Sequence, residues 1–281
     1  LNGTTTIGED GQCADDICKI IDKIGVRGNV SVRIREALVK VYEPGELYEY
    51  DENFGNISLN ETLEVYDKWH NKDNNRIRVL FGPQGADFVS EDMLMKIKRL
   101  SKERNTNIHM HLSQGSRETK QMEMRYGSRT IPWLAKKDFF DEDFIGIHLT
   151  DASEDEVKLV AGKKASMVLC SGSIGIIDGI VPPAKVFQDA GGYVGLGSDQ
   201  APGNNCHNIV NEMKLTALFN KIKYFKMNRQ KMIIGNFTDS DKEHMYKAEQ
   251  WLKDCKGKLQ FIELNDYSIG NVKKIVKKFN I

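Results

Sequence analysis

The stretch Gly192-Tyr-Val-Gly-Leu-Gly-Ser-Asp199 governs the reading of the whole chain. A short apolar strand carries a carboxylate to its tip, and a loop rich in Gly and Asn follows, Gln200-Ala-Pro-Gly-Asn-Asn205. A carboxylate at the C-terminal end of a barrel strand is placed to bind a metal or take a proton. Two histidines upstream have matching settings: His111 closes Asn107-Ile-His-Met-His-Leu112, and His148 closes Phe144-Ile-Gly-Ile-His-Leu149. Two imidazoles and a carboxylate on three strand ends can make a metal site. Taken singly, each is equally well read as an ordinary strand-end polar residue.

Outward from these three, strands alternate with helices. β-rich runs fall at Thr4–Ile7, Gly28–Arg33, Arg76–Phe81, Asn107–Leu112, Phe144–Leu149, Ala165–Cys170 and Tyr193–Gly197. Ser90–Leu100 has a capping Ser90, acids in its first turn and apolar residues at helical spacing, and Ser153–Val160 repeats that opening. Strand and helix in series imply a parallel sheet with right-handed crossovers. Seven such units point to an α/β fold, a (β/α) TIM-type barrel, over residues 1–228. Lys40–Asn60 breaks the alternation and reads as a long loop over the C-terminal face, its Tyr42, Tyr48 and Tyr50 placed to wall a pocket or simply to face solvent. Residues 229–281 change character: strand Lys231–Asn236, helix Asp241–Lys256, strand Lys258–Leu264 and helix Ser268–Phe279 make a β-α-β-α tail.

Composition sets wide bounds. The chain has 281 residues, with Lys+Arg 40 and Asp+Glu 40, so it carries no net charge and no basic excess of the kind nucleic acid would select. No apolar run is long enough for a transmembrane helix, and the N-terminal residues do not read as a signal peptide. Cys13, Cys18, Cys170, Cys206 and Cys255 form no Cys-x-x-Cys pair and are odd in number. They read as reduced thiols of a cytoplasmic protein.

Several motifs, in order, carry a resemblance from Gly3 to about Lys221. Gly3-Thr-Thr-Thr6, Ile108-His-Met-His-Leu-Ser-Gln114, Ile147-His-Leu-Thr-Asp-Ala-Ser-Glu-Asp-Glu156, Cys170-Ser-Gly-Ser173, Gly195-Leu-Gly-Ser-Asp199, Asn204-Asn205 and Asn211-Glu-Met-Lys214 follow one another as in the amidohydrolase superfamily. Within it the chain resembles the cytosine deaminase, chlorohydrolase and S-adenosylhomocysteine deaminase group. The resemblance implies a mononuclear hydrolase with one divalent ion, Zn or Fe, that generates hydroxide near neutral pH. It implies His111 and Asp199 as metal ligands, with His148 at the metal site beside the attacking water. It makes Asp199 and His148 the catalytic pair, and implies that Gln114, Gln84, Ser198, Asn204 and Asn205 face the substrate. The expected partner is a small heterocycle or cyclic amidine that loses ammonia. Homo-oligomerisation is left open. His109, two residues before His111 on the same strand face, is expected deeper in the barrel.

The departures from the family pattern are equally specific. The first-strand His-x-His pair that would supply two ligands should precede Gly3, where the chain begins, so the barrel is expected to lack its first strand. Gln114 stands where the family has a glutamate that protonates a ring nitrogen, and an amide cannot transfer that proton. Pro83-Gln84 stands for Pro-His. Two readings follow: a metal-dependent deaminating hydrolase, or a degenerate, non-catalytic barrel that binds a heterocycle or a partner protein.

Overall fold

The protein is described as a computed structural model over residues 4–232, with side chains to residue 224. Seven strands form one sheet: β1 (Thr6–Gly11), β2 (Arg27–Ile34), β3 (Ile77–Pro83), β4 (Ile108–Leu112), β5 (Phe144–His148), β6 (Ser166–Leu169) and β7 (Tyr193–Leu196). They lie in sequence order and every neighbouring pair is parallel. The crossovers carry helices α1 (Ala14–Ile24), α2 (Glu52–Trp69), α3 (Lys72–Asn75), α4 (Glu91–Glu103), α5 (Ser116–Tyr126), α6 (Thr130–Lys136), α7 (Glu154–Gly162), α8 (Ser171–Ile177) and α9 (Ala184–Asp189). After β7 come α10 (Ala201–Asn204) and α11 (Ile209–Met232). The sheet curls as part of a barrel: Glu9 on β1 is within electrostatic reach of His207, which follows β7. All seven expected strands are present.

Strand alternation decides which side chains enter the barrel. On β4, Ile108, Met110 and Leu112 are fully buried and join Phe81, Phe144, Leu94 and Ile97 in the core between sheet and helices. His109 and His111 therefore share the opposite, inner face. The helix starts follow their caps. Ser90 accepts the Met93 N–H at 3.2 Å, and Ser153 accepts that of Glu156 at 3.2 Å while Glu156 returns a bond to the Ser153 N–H.

The Lys40–Asn60 segment differs from its expected form. Only its first half is a loop. Asp51 accepts the N–H groups of Asn53 and Phe54 and starts α2 at Glu52, so the rest is helical. Gly55 obscured that pattern. It is needed because Glu36 packs where its side chain would be. The remaining loop is pinned to α5: Gln121 accepts the Tyr48 N–H at 3.0 Å, and Arg125 donates to the Tyr48 carbonyl at 2.5 Å. The Tyr48 ring stacks on Phe88, 5.2 Å between centroids.

The chain divides into two units, Leu1–Phe225 and Lys226–Ile281. Of the expected tail strand Lys231–Asn236, the first two residues belong to α11. The remainder and the rest of the β-α-β-α tail lie outside the described residues. No helix among the described residues is long and apolar enough to cross a membrane.

Candidate active site

The C-terminal ends of β4, β5 and β7 bring His111, His148 and Asp199 together. The His111 and His148 rings lie 5.4 Å apart, and His148 Nε2 is 4.0 Å from Asp199 Oδ2. Their backbones bend sharply. Ser113, His148, Leu149 and Asp199 take φ values of 46°, 75°, 51° and 59°, in the left-handed region that side chains with a Cβ rarely adopt. Such strain persists where surrounding structure enforces it, and it clusters at functional sites.

Each side chain has defined neighbours. His111 Nδ1 is 2.8 Å from the Gln84 carbonyl, which can only accept, so Nδ1 carries a hydrogen and Nε2 is the ring nitrogen left to face a ligand. His148 is buried. Burial, then the nearby His111, pushes its pKa down to about 4, so it is neutral at pH 7. Its Nδ1 is buried without a hydrogen-bond partner among the described residues. Asp199 has both oxygens engaged: Ser173 Oγ donates to Oδ2 at 2.5 Å, and the Gln200 N–H to Oδ1 at 2.7 Å. His109 points below this group, 6.4 Å from the His111 ring and 3.5 Å from Ser31 Oγ, with its pKa lowered to about 4 by burial.

Two imidazoles with a carboxylate suit a divalent metal in kind. As they stand they do not make a closed cage: among the described residues no group of three or more His, Cys, Asp or Glu is arranged to hold a metal ion.

The other expected residues fall around this cluster with different tasks. Asn204 Nδ2 donates to the Ser198 carbonyl at 2.5 Å and to Glu212 Oε1 at 2.8 Å, so it holds the Asp199 loop from beneath. Asn205 is exposed and closes α10 at φ 60°. Ser198 Oγ lies 2.9 Å from His207 Nδ1. Gln84 has a buried side-chain oxygen, Oε1, without a partner among the described residues, and the Gln114 N–H bonds Glu118 Oε2 at 2.9 Å.

Sequence reading missed several supports. Ser173 and Glu212 lie inside motifs quoted for other reasons. Glu212 is fully buried and accepts the Gly172 N–H at 2.9 Å. Asp10, at the end of β1, accepts from Ser31 Oγ at 3.2 Å, pairs with Arg33 at 3.4 Å and lies 3.9 Å from His111 Nδ1. An acid at a strand end was the available signal. Asp87 and Glu118, both buried, occupy the loop after β3 and the start of α5.

Comparison with known proteins agrees with this architecture. A 5-methylthioadenosine/S-adenosylhomocysteine deaminase of Thermoanaerobacter pseudethanolicus is 27% identical over 220 residues, covering 78% of this chain and 48% of the relative. A 5'-deoxyadenosine deaminase of Methanosphaera stadtmanae is 26% identical over 221 residues, covering 78% and 49%. The chain thus spans about half the length of the curated relatives it matches. Among solved structures, an adenosine deaminase from Xanthomonas campestris with bound zinc superposes with TM-score 0.69 at 22% identity, covering 79% of this chain and 48% of that one. A guanine deaminase from C. acetobutylicum with bound guanine gives TM-score 0.69 at 18% identity, covering 81% and 54%. The profile of the amidohydrolase family matches residues 2–233, and the chain belongs to that family.

Proposed function

We propose that this chain carries the working face of a metal-dependent hydrolase that deaminates an amino-substituted heterocycle or cyclic amidine. The observation that carries this reading is the convergence of His111, His148 and Asp199 on one strained rim. The relatives' names favour an adenosine-type amine as the substrate. His111, through its free Nε2, together with His148 and Asp199 would hold one divalent ion, Zn or Fe. When bound, such an ion supplies Lewis acidity that brings the pKa of water toward neutrality.

The chain's own residues set the proton path. Asp199, oriented by Ser173 and the Gln200 N–H, accepts a proton from the attacking water and returns it to the departing amine. Neutral His148 sits beside the Asp199 oxygen and orients the reacting group. Gln84 Oε1, which has no partner among the described residues, is an acceptor for a substrate N–H. Gln114, Ser198, Asn204 and Asn205 complete the substrate side, Asn204 by fixing the Ser198–Asp199 backbone.

The test is ammonia release across a panel of amino-heterocycles with added Zn or Fe. The expected result is turnover that falls on the order of a hundredfold or more in Asp199→Asn. The absence of a ready three-donor cage favours a second reading, a heterocycle-binding barrel without catalysis. Binding without ammonia release, unchanged in Asp199→Asn, selects that reading.

A further inference from the structure

His111 can present Nε2 to a ligand only while its other nitrogen is held. Nδ1 faces the Gln84 carbonyl at 2.8 Å. A carboxylate stands near the same nitrogen: Asp10 Oδ2 is 3.9 Å from His111 Nδ1. Asp10 ends β1 and His111 lies on β4, with β2 and β3 between them in the sheet. A side chain as short as aspartate reaches across that curl only where the two intervening strands leave their inner face open.

Both strands do so at this level. On β2, Val30 and Val32 pack in the outer core, so Ser31 and Arg33 face inward. Ser31 is the register partner of Asp10, and its small hydroxyl donates to Asp10 Oδ1 at 3.2 Å. On β3, Phe81 packs in the core, so Gly82 faces inward. A Cβ at Gly82 would lie 2.9 Å from Asp10 Oδ1 and 2.8 Å from both the Ser31 Cβ and the Val32 carbonyl. Gly82 is not among the glycines with positive φ, so its backbone conformation does not require glycine. The missing side chain makes the room that the carboxylate uses. Arg33 fixes the same residue: Nη2 donates to the Asp10 carbonyl at 2.8 Å, and Nε lies 3.4 Å from Oδ2. The Asp10 side chain is only 7% exposed, so its charge acts on these neighbours with little water between.

We propose that Asp10 is the positioning residue of His111, its charge keeping the Nδ1–H edge of the ring turned inward so that Nε2 remains the nitrogen that faces a metal. The Gln84 carbonyl supplies the hydrogen bond and Asp10 supplies the charge. A carboxylate behind a ligating imidazole fixes which nitrogen bears the hydrogen and makes the other a better donor. The assignment rests on the metal-site reading above.

The experiment uses the full chain as wild type, Asp10→Asn, Asp10→Ser and Arg33→Gln. Long-range proton–nitrogen NMR spectra of the metal-free protein, labelled in histidine nitrogen and recorded at mildly alkaline pH, report which nitrogen of His111 bears hydrogen. His111→Ala assigns the signals. Wild type should show the Nδ1–H form, and either folded Asp10 variant should show a rise in the Nε2–H form. Zn affinity, read by competition with a chelator, should fall about 10–100-fold in the Asp10 variants. Arg33→Gln should bind Zn no more weakly than wild type, because it removes a positive charge and leaves the Asp10 charge uncompensated. A pair whose only task was to tie β1 to β2 would lose Zn equally when either partner is replaced. Unchanged His111 spectra in the Asp10 variants, or a loss of Zn in Arg33→Gln as large as in Asp10→Asn, overturns the role of Asp10. A wild type that binds no Zn overturns the metal-site reading, and the spectra of the metal-free protein then decide by themselves whether Asp10 sets the His111 ring.

Discussion

Glu212→Ala removes the carboxylate that ties α8, α10 and the Asp199 loop together. The wild-type side chain is fully buried and accepts two hydrogen bonds, from the Gly172 N–H at 2.9 Å and from Asn204 Nδ2 at 2.8 Å. Alanine strands the Gly172 N–H in the interior and leaves Asn204 with only the Ser198 carbonyl. An unsatisfied buried donor costs about 1–3 kcal/mol, and the space left by the side chain adds to it, for a loss of about 3–5 kcal/mol. Glu212→Gln keeps the volume but turns an N–H toward a donor, so about half that loss is expected. Urea denaturation measures both through the shift in midpoint at constant slope. Asn204 would then be held by one bond instead of two, so the Ser198–Asp199 turn should be less firmly fixed in the same variant. A Glu212→Ala protein within about 0.5 kcal/mol of wild type, the range of an ordinary surface change, would refute the claim that this network holds the loop.

Two further outcomes follow from single positions. Gly192→Ala puts a Cβ into the ring of fully buried Phe187, so thermal unfolding should show a loss of about 1–3 kcal/mol or more. Asp87 has a raised folded pKa, so the native state holds its proton where the unfolded chain has released it. Wild-type stability relative to Asp87→Asn should therefore be greatest near pH 4 and fall as pH rises toward 8, by at most about 1.4 kcal/mol per pH unit, then level off. A flat difference over that window would contradict the burial argument.

The sequence made the sheet legible because each strand is short, apolar and closed by a turn residue, with capped helices between. The placement of His111, His148 and Asp199 followed from strand ends alone. What stayed hidden was long-range. Glu118 and Asp87 are far apart in sequence, and only the packing of α5 against the β3–α4 loop brings their charges together. Ser173 meets Asp199 only because α8 and the loop after β7 pack at the same end of the sheet. The start of α2 was concealed locally, since Gly55 weakens the helical pattern for a reason, the approach of Glu36, that lies outside its own segment.

Metal content of purified His111→Ala and His109→Ala proteins, after loading with Zn and removal of loosely held ion, tests the central claim most directly. Both histidines share the inner face of β4, yet only His111 lies beside His148 and, through it, Asp199. The account predicts bound metal in wild type, its loss in His111→Ala and its retention in His109→Ala. Equal loss in both variants, or loss only in His109→Ala, would contradict the assignment of the strand-tip cluster as the metal site.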